Sequence, residues 1–222
     1  MKWVLLGNLI GLVLMVPLLS FLLRSANINK PLDQTVKVVA IHKVKTPIGT
    51  FIQSQQGTGL RIGKAILTDA HVVGSPQSLE AVYIFDHRWI NLKKTSLMVG
   101  DNKRDFAILK DEQSSTGVEF DNFKFGEKLH LIGNPISGDL VETDTKVIGL
   151  DSVVLPTGHE RQMIMVDGSH IRPGFSGGGL FNQAGKVVGT VELCDGDRSA
   201  AVEEGRKCWA ITSQEIVNYL RE

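Results

Sequence analysis

The chain has no surplus of charge of either sign: its 222 residues carry 24 Lys and Arg against 24 Asp and Glu, a formal net charge of zero. That balance offers nothing for electrostatic capture of nucleic acid or an anionic surface, and no nucleic-acid partner is expected. Aromatic residues are scarce, at 6%, whereas there are 23 glycines. Such a composition suits short strands and tight turns better than long helices. No internal repeat stands out. Cysteine occurs only twice, and Cys194 and Cys208 enclose the polar stretch "DGDRSAAVEEGRK". A bridge would staple the base of an exposed loop and stabilise the fold by roughly 3 kcal/mol in the chain-entropy model. Free thiols are the alternative, and an export segment on the same chain favours the bridge.

Long hydrophobic runs are also rare, with one exception. "WVLLGNLIGLVLMVPLLSFLL", Trp3 to Leu23, is uncharged and bracketed by Lys2 and Arg24. It is long enough to cross a bilayer as a helix. A cleaved signal peptide has a shorter apolar region and small residues at its cleavage site; "FLLRSANIN" matches that poorly, because Arg24 sits close before Ala26. The expectation is a transmembrane anchor over residues 1–25 and a connector over 26–35, with a cleaved signal or a buried core helix as alternatives. Lys2 and the amino terminus face Arg24 and Lys30, so charge does not set the orientation. A very short N-terminal tail most often stays in the cytoplasm, which places the rest of the chain outside it, periplasmic or extracellular.

Beyond the connector, short apolar runs such as "VKVVAIHKV", "KAILTDAHVV" and "LEAVYIFD" alternate with Gly, Pro, Asn and Asp clusters. A second series, including "KLHLIGNP", "RQMIMVDG" and "CWAIT", follows the polar gap "DEQSSTGVEFDN". This rhythm predicts an all-β barrel or sandwich in two halves, about 36–112 and about 122–212. One soluble helix is expected at the end, over 213–221, with Thr212 or Ser213 as N-cap and Ile216, Val217 and Leu220 on its apolar face.

Three stretches carry chemistry. "ILTDAHVVG" delivers His71 at the end of an apolar strand, and "NKRDFAILK" opens a strand with Asp105. Each alone reads more simply as a structural histidine and a solvated aspartate. In "RPGFSGGGLFN", Ser176 lies among four glycines that let the backbone turn sharply and aim its N–H groups at a substrate oxygen. A serine hydroxyl needs an imidazole to take its proton, and the imidazole needs a carboxylate to hold its tautomer. The order His, Asp, Ser puts the first two in one half and the third in the other, so the site would lie between them.

With these residues in order, the chain resembles the chymotrypsin-fold serine proteases, and within them the HtrA/Deg branch of trypsin-like peptidases. The resemblance rests on "GTGLRIGKAILTDAHVV" (57–73), "DFAILK" (105–110), "LIGNP" (131–135), "IRPGFSGGGLFNQAGKVVGTVE" (171–192) and "WAITS" (209–213). It implies two packed six-stranded antiparallel β-barrels followed by the C-terminal helix, a protease domain over 36–222. It also implies His71 as general base and acid, Asp105 as orienting carboxylate, Ser176 as nucleophile, and the amides of Gly174 and Ser176 as the oxyanion hole. The implied reaction is hydrolysis of peptide bonds in protein or peptide substrates, without metal or organic cofactor. The primary specificity pocket would be lined by His170 and Val191 with Glu192 nearby, and substrate would pair with the strand near Thr190 to Leu193. No aspartate marks a trypsin-like pocket, so an apolar residue before the cut is expected.

Some positions depart from the family pattern. Phe175 stands where relatives carry Asp or Asn, so a zymogen switch built on that carboxylate is not expected. Phe175 is also expected to line the approach to the oxyanion hole, which supports a second reading as a catalytically weak binding or chaperone-like module. Residue 222 is reached without the PDZ-type peptide-binding domain that many relatives append, so regulation through one is not expected.

Overall fold

The computed structural model describes residues 31–221 except 93–96, 102, 113–116, 137, 156–157 and 197–203. The expected anchor and most of the connector lie outside the described residues. Among the described residues, no helix is long and apolar enough to cross a membrane.

Strands dominate both halves. The first holds β1 (Thr35–Thr46), β2 (Gly49–Arg61), β3 (Ala65–Asp69), the single turn α1 (Ala70–Val73), β4 (Leu79–Asp86), β5 (Arg88–Leu92), β6 (Leu97–Asp101) and β7 (Phe106–Lys110). They form one seven-stranded antiparallel sheet in the order β5-β4-β1-β2-β3-β7-β6. The second holds β8 (Lys128–Gly133), β9 (Val141–Val154), β10 (Glu160–Asp167), β11 (Gly179–Phe181), β12 (Val187–Cys194) and β13 (Lys207–Thr212). These close into a six-stranded barrel in the order β10-β13-β12-β11-β8-β9.

The alternation in "TVKVVAIH" does what a half-buried strand requires. Val36, Val38 and Ala40 of β1 are fully buried while Lys37, Val39 and Ile41 face outward. They join Ile66, Leu79, Ile84 and Leu109 in the core of the first half. Leu129, Leu131, Val166, Phe175, Leu180 and Ala210 fill the barrel. Two further clusters draw on both halves. One joins Leu60 of β2 to Ile132, Phe181 and Val187; the other joins Leu67 and Phe106 to Met163, Ile211, Ile216 and Tyr219. Burial of this shared apolar surface holds the sheet against the barrel.

The last helix, α2, spans Ser213–Tyr219, and Thr212 is its N-cap, accepting the Glu215 amide at 3.2 Å. Ser213 instead donates to the Asp121 carbonyl at 2.6 Å. The buried face is Ile216 with Tyr219, while Leu220 is 37% exposed; Tyr219 stacks on Phe106 and takes the place expected for leucine.

Cys194 and Cys208 are directly opposed in the β12–β13 ladder and bridged. The staple at the base of the loop is as expected. Replacing both cysteines with serine is expected to lower stability by about 2–4 kcal/mol, read as a shifted denaturant midpoint. An unchanged midpoint would show that the bridge constrains nothing the ladder does not already hold.

Candidate active site

Strand register brings His71 to Asp105. In the β3–β7 pair, Asp69 lies opposite Phe106, so the residues just past Asp69 meet those just before Phe106. The Ala70 amide donates to the Asp105 carbonyl at 2.9 Å, the His71 amide to Asp105 Oδ1 at 2.7 Å, and His71 Nδ1 lies 2.5 Å from Asp105 Oδ2. Asp105 sits in the left-handed region, φ 53°, which Asp tolerates better than most residues. One aspartate therefore fixes both the backbone and the ring of His71. The imidazole remains 49% exposed, and His71 lines the cleft.

Ser176 comes from the turn between β10 and β11, and the first half of the chain holds that turn in place. The Thr58 amide donates to the Ser176 carbonyl at 2.8 Å, and Thr58 Oγ1 donates to the Gly174 carbonyl at 2.8 Å while accepting the Asn134 amide at 2.9 Å. Pro173 and Gly174 are the middle of a turn closed by the Phe175 amide on the Arg172 carbonyl, 3.2 Å, with Gly174 at φ 99°. Proline followed by glycine at positive φ is the pattern of a type II turn. A Cβ on Gly174 would strike the Asn134 carbonyl as well as strain the backbone. Among the described residues, neither the Gly174 nor the Ser176 amide has a backbone partner, so both are available to a ligand oxygen.

Phe175 borders the cleft as expected, but its side chain is turned away from the oxyanion approach. Its side chain is 1% exposed and packs in the barrel core against Gly133, where any Cβ would overlap the ring. Glycine opposite it supplies the room, so hydrocarbon packing holds the loop from below.

His71, Asp105, Gly174, Ser176, Val191 and Glu192 all border one cleft of about 840 Å³. His170 does not: it is exposed, in the turn after β10. Thr190 is buried and paired on both sides, with Gly179 of β11 and Ile211 of β13. Val191 is also saturated, since it accepts the Gly177 amide and donates to the Gly178 carbonyl. The edge of β12 open to the cleft therefore starts at Glu192, two residues later than expected. Next to it the cleft wall is mostly apolar, with Ile136, Val154, Leu155, Ile171 and Leu193, and Arg206 is held by its Nε on the Asp195 carbonyl and Nη1 on the Ile171 carbonyl.

Sequence reasoning missed Thr58, Asp69 and Arg161. Thr58 stands in the quoted "GTGLRIG", but nothing local tells that a threonine will clamp a loop 116 residues away. Arg161 is a buried cation, 3% exposed, beside the apolar run Met163 to Val166 of β10, and Asp69 is 1% exposed two residues before His71. Burial first, then the charge of Asp105, holds Asp69 well above the usual carboxylate range.

A sheet packed on a closed six-stranded barrel, with an Asp-clamped histidine and a glycine-cradled serine on the cleft between them, defines the chymotrypsin-like architecture. The family model "Trypsin-like peptidase domain" matches residues 49–189, more than half of the chain, and the chain belongs to that family. It is 33% identical over 138 residues to the serine protease Do-like HtrA of Bacillus subtilis, covering 57% of this chain and 30% of that protein. With the corresponding Lactobacillus helveticus protein it shares 27% over 168 residues, covering 71% of this chain and 39% of the relative. The chain thus spans well under half the length of these curated relatives. Among solved structures, the active form of the Mycobacterium tuberculosis protease Rv3671c superposes with a TM-score of 0.68 at 19% identity, covering 86% of this chain and 81% of that one. The HtrA-type protease AlgW with a decapeptide gives 0.69 at 17% identity, covering 87% and 65%. At such identities the likeness is one of fold.

Proposed function

We propose that the protein is a membrane-tethered serine endopeptidase in which Ser176, His71 and Asp105 form the catalytic triad. The observation that carries this reading is the clamp of Asp105 on both the amide and Nδ1 of His71, in the same cleft as a serine flanked by two uncommitted amides. Ser176 Oγ rests against the Glu192 carbonyl at 3.4 Å, a long contact that rotation about Cα–Cβ releases. His71 Nε2 then takes the hydroxyl proton as Oγ attacks the peptide carbonyl, and the Gly174 and Ser176 amides receive the oxyanion. His71 returns the proton to the leaving amine, and water, activated by the same ring, hydrolyses the acyl-enzyme.

Substrate adds to the β12 edge from Glu192 to Cys194 by main-chain pairing, with an apolar side chain against Ile171 and its neighbours. The uncharged run Trp3 to Leu23 supports tethering, and the Cys194–Cys208 bridge supports an oxidising, extracytoplasmic setting. Burial of the Phe175 side chain supports the catalytic reading over a non-catalytic binding module.

A fluorophosphonate probe tests the assignment. Incubated with the full chain in detergent micelles, it is expected to add one phosphonyl group on the tryptic peptide containing Ser176. Absence of that adduct on folded protein would refute the protease reading.

A further inference from the structure

A group of buried charges lies behind the His71–Asp105 pair, and peptide hydrolysis as described above does not use it. Glu192 is at its centre. The β12–β13 register shifts between Val191 and Leu193, and the irregularity turns the Glu192 side chain inward, 4% exposed, between the barrel and the first sheet. Asp105 and Asp69 face it from the first sheet, Arg161 from β10 and Glu215 from α2; His71 lies beyond Asp105, and Arg104 and His159 beyond Glu215.

Arg161 is the cation that touches Glu192. Its Nη1 donates to Glu192 Oε2 at 3.1 Å, its Nε lies 2.9 Å from Glu215 Oε1, its Nη2 donates to the Arg104 carbonyl at 2.5 Å, and the guanidinium lies over the Phe106 ring. The carboxyl of Glu192 also lies within hydrogen-bonding reach of that of Asp105. Two ionised carboxylates so placed would repel and neither would have a donor, whereas one that carries a proton can donate to the other. Asp105 already accepts two N–H groups from His71, so the donor of the pair is Glu192. The electrostatics agree: burial, then the Asp105 charge, push Glu192 up to about 8.

We propose that Glu192 is a positioning residue for the His71–Asp105 pair. As a neutral acid anchored by Arg161, it donates a hydrogen bond that keeps the Asp105 carboxylate aimed at His71 Nδ1, and its ionisation in alkali withdraws that bond and slows acylation of Ser176. The inference rests on the protease reading for its kinetic consequence but not for its proton link.

Fluorophosphonate labelling rates of the full chain in micelles, measured across pH, read the kinetic consequence. The wild type is expected to slow on the alkaline side with an inflection near 8, and Glu192→Gln, which keeps a donor but cannot ionise, loses that inflection. At neutral pH, Glu192→Ala is expected to label about 10- to 100-fold more slowly than Glu192→Gln, the effect of one hydrogen bond to a charged group. An alkaline limb identical in the wild type and Glu192→Gln would overturn the proposal. If the alanine variant does not fold, the glutamine comparison decides alone. Nitrogen-15 NMR of the His71 ring supplies a readout independent of catalysis: a second inflection near 8 in the wild type, absent in Glu192→Gln, is expected. A His71 titration without that inflection would overturn the link to Glu192. A chain that shows it yet never labels at Ser176 would retain the link and lose the protease reading.

Discussion

Replacing Ser176 with alanine is expected to lower kcat on a peptide substrate by about a millionfold, and adding His71→Ala to that variant costs almost nothing more. Nucleophile and base act as a unit, so once the hydroxyl is gone the imidazole has no proton to accept. The fold should not register the change, because Ser176 Oγ makes only the 3.4 Å contact to the Glu192 carbonyl among the described residues. Activity within tenfold of the wild type in Ser176→Ala, with its thermal midpoint unaltered, would place the nucleophile elsewhere.

Asp105→Asn is expected to reduce kcat by about ten-thousandfold with a much smaller change in KM. Asparagine tolerates the left-handed backbone at φ 53° nearly as well as aspartate, so the turn before β7 survives. Its Oδ1 can still receive the His71 amide, but its amide nitrogen now faces Nδ1 and forces that atom to accept. The tautomer is inverted: Nε2 carries the proton and cannot take another from Ser176. Asp105→Ala would confuse two effects, since alanine both strains at positive φ and abandons the His71 amide. A fall of less than tenfold in Asp105→Asn would deny Asp105 any part in setting the tautomer.

The strands, the C-terminal helix and the three candidate side chains were legible because their signals are local. Alternating apolar residues in "TVKVVAIH" define a face of β1, and Ser176 among glycines marks a turn free of side chains. Thr212 as N-cap is similarly a matter of a few neighbouring residues. Other positions depended on contacts between distant segments. Phe175 reads as an intruder beside the nucleophile until Gly133, 42 positions earlier (175 minus 133), is seen to leave room for its ring. His170 precedes the nucleophile at the expected interval, yet the turn after Asp167 presents it to solvent.

The amino-acid sequence by itself determined that this is a two-part β protein with a Ser, His and Asp available in the order a protease of this family uses. It also favoured a bridge between its two cysteines over free thiols. Only the tertiary structure decided that Thr190 is closed off by β11 and β13, that Thr58 ties the Ser176 turn to the first sheet, and that the Glu192 side chain is buried against Arg161. The physical reason is the same in each case. A period of two assigns residues to faces of a strand, but register and bulges decide what those faces meet. At Glu192 a single irregularity in β12 turned an expected pocket residue into a buried acid behind the His71–Asp105 pair.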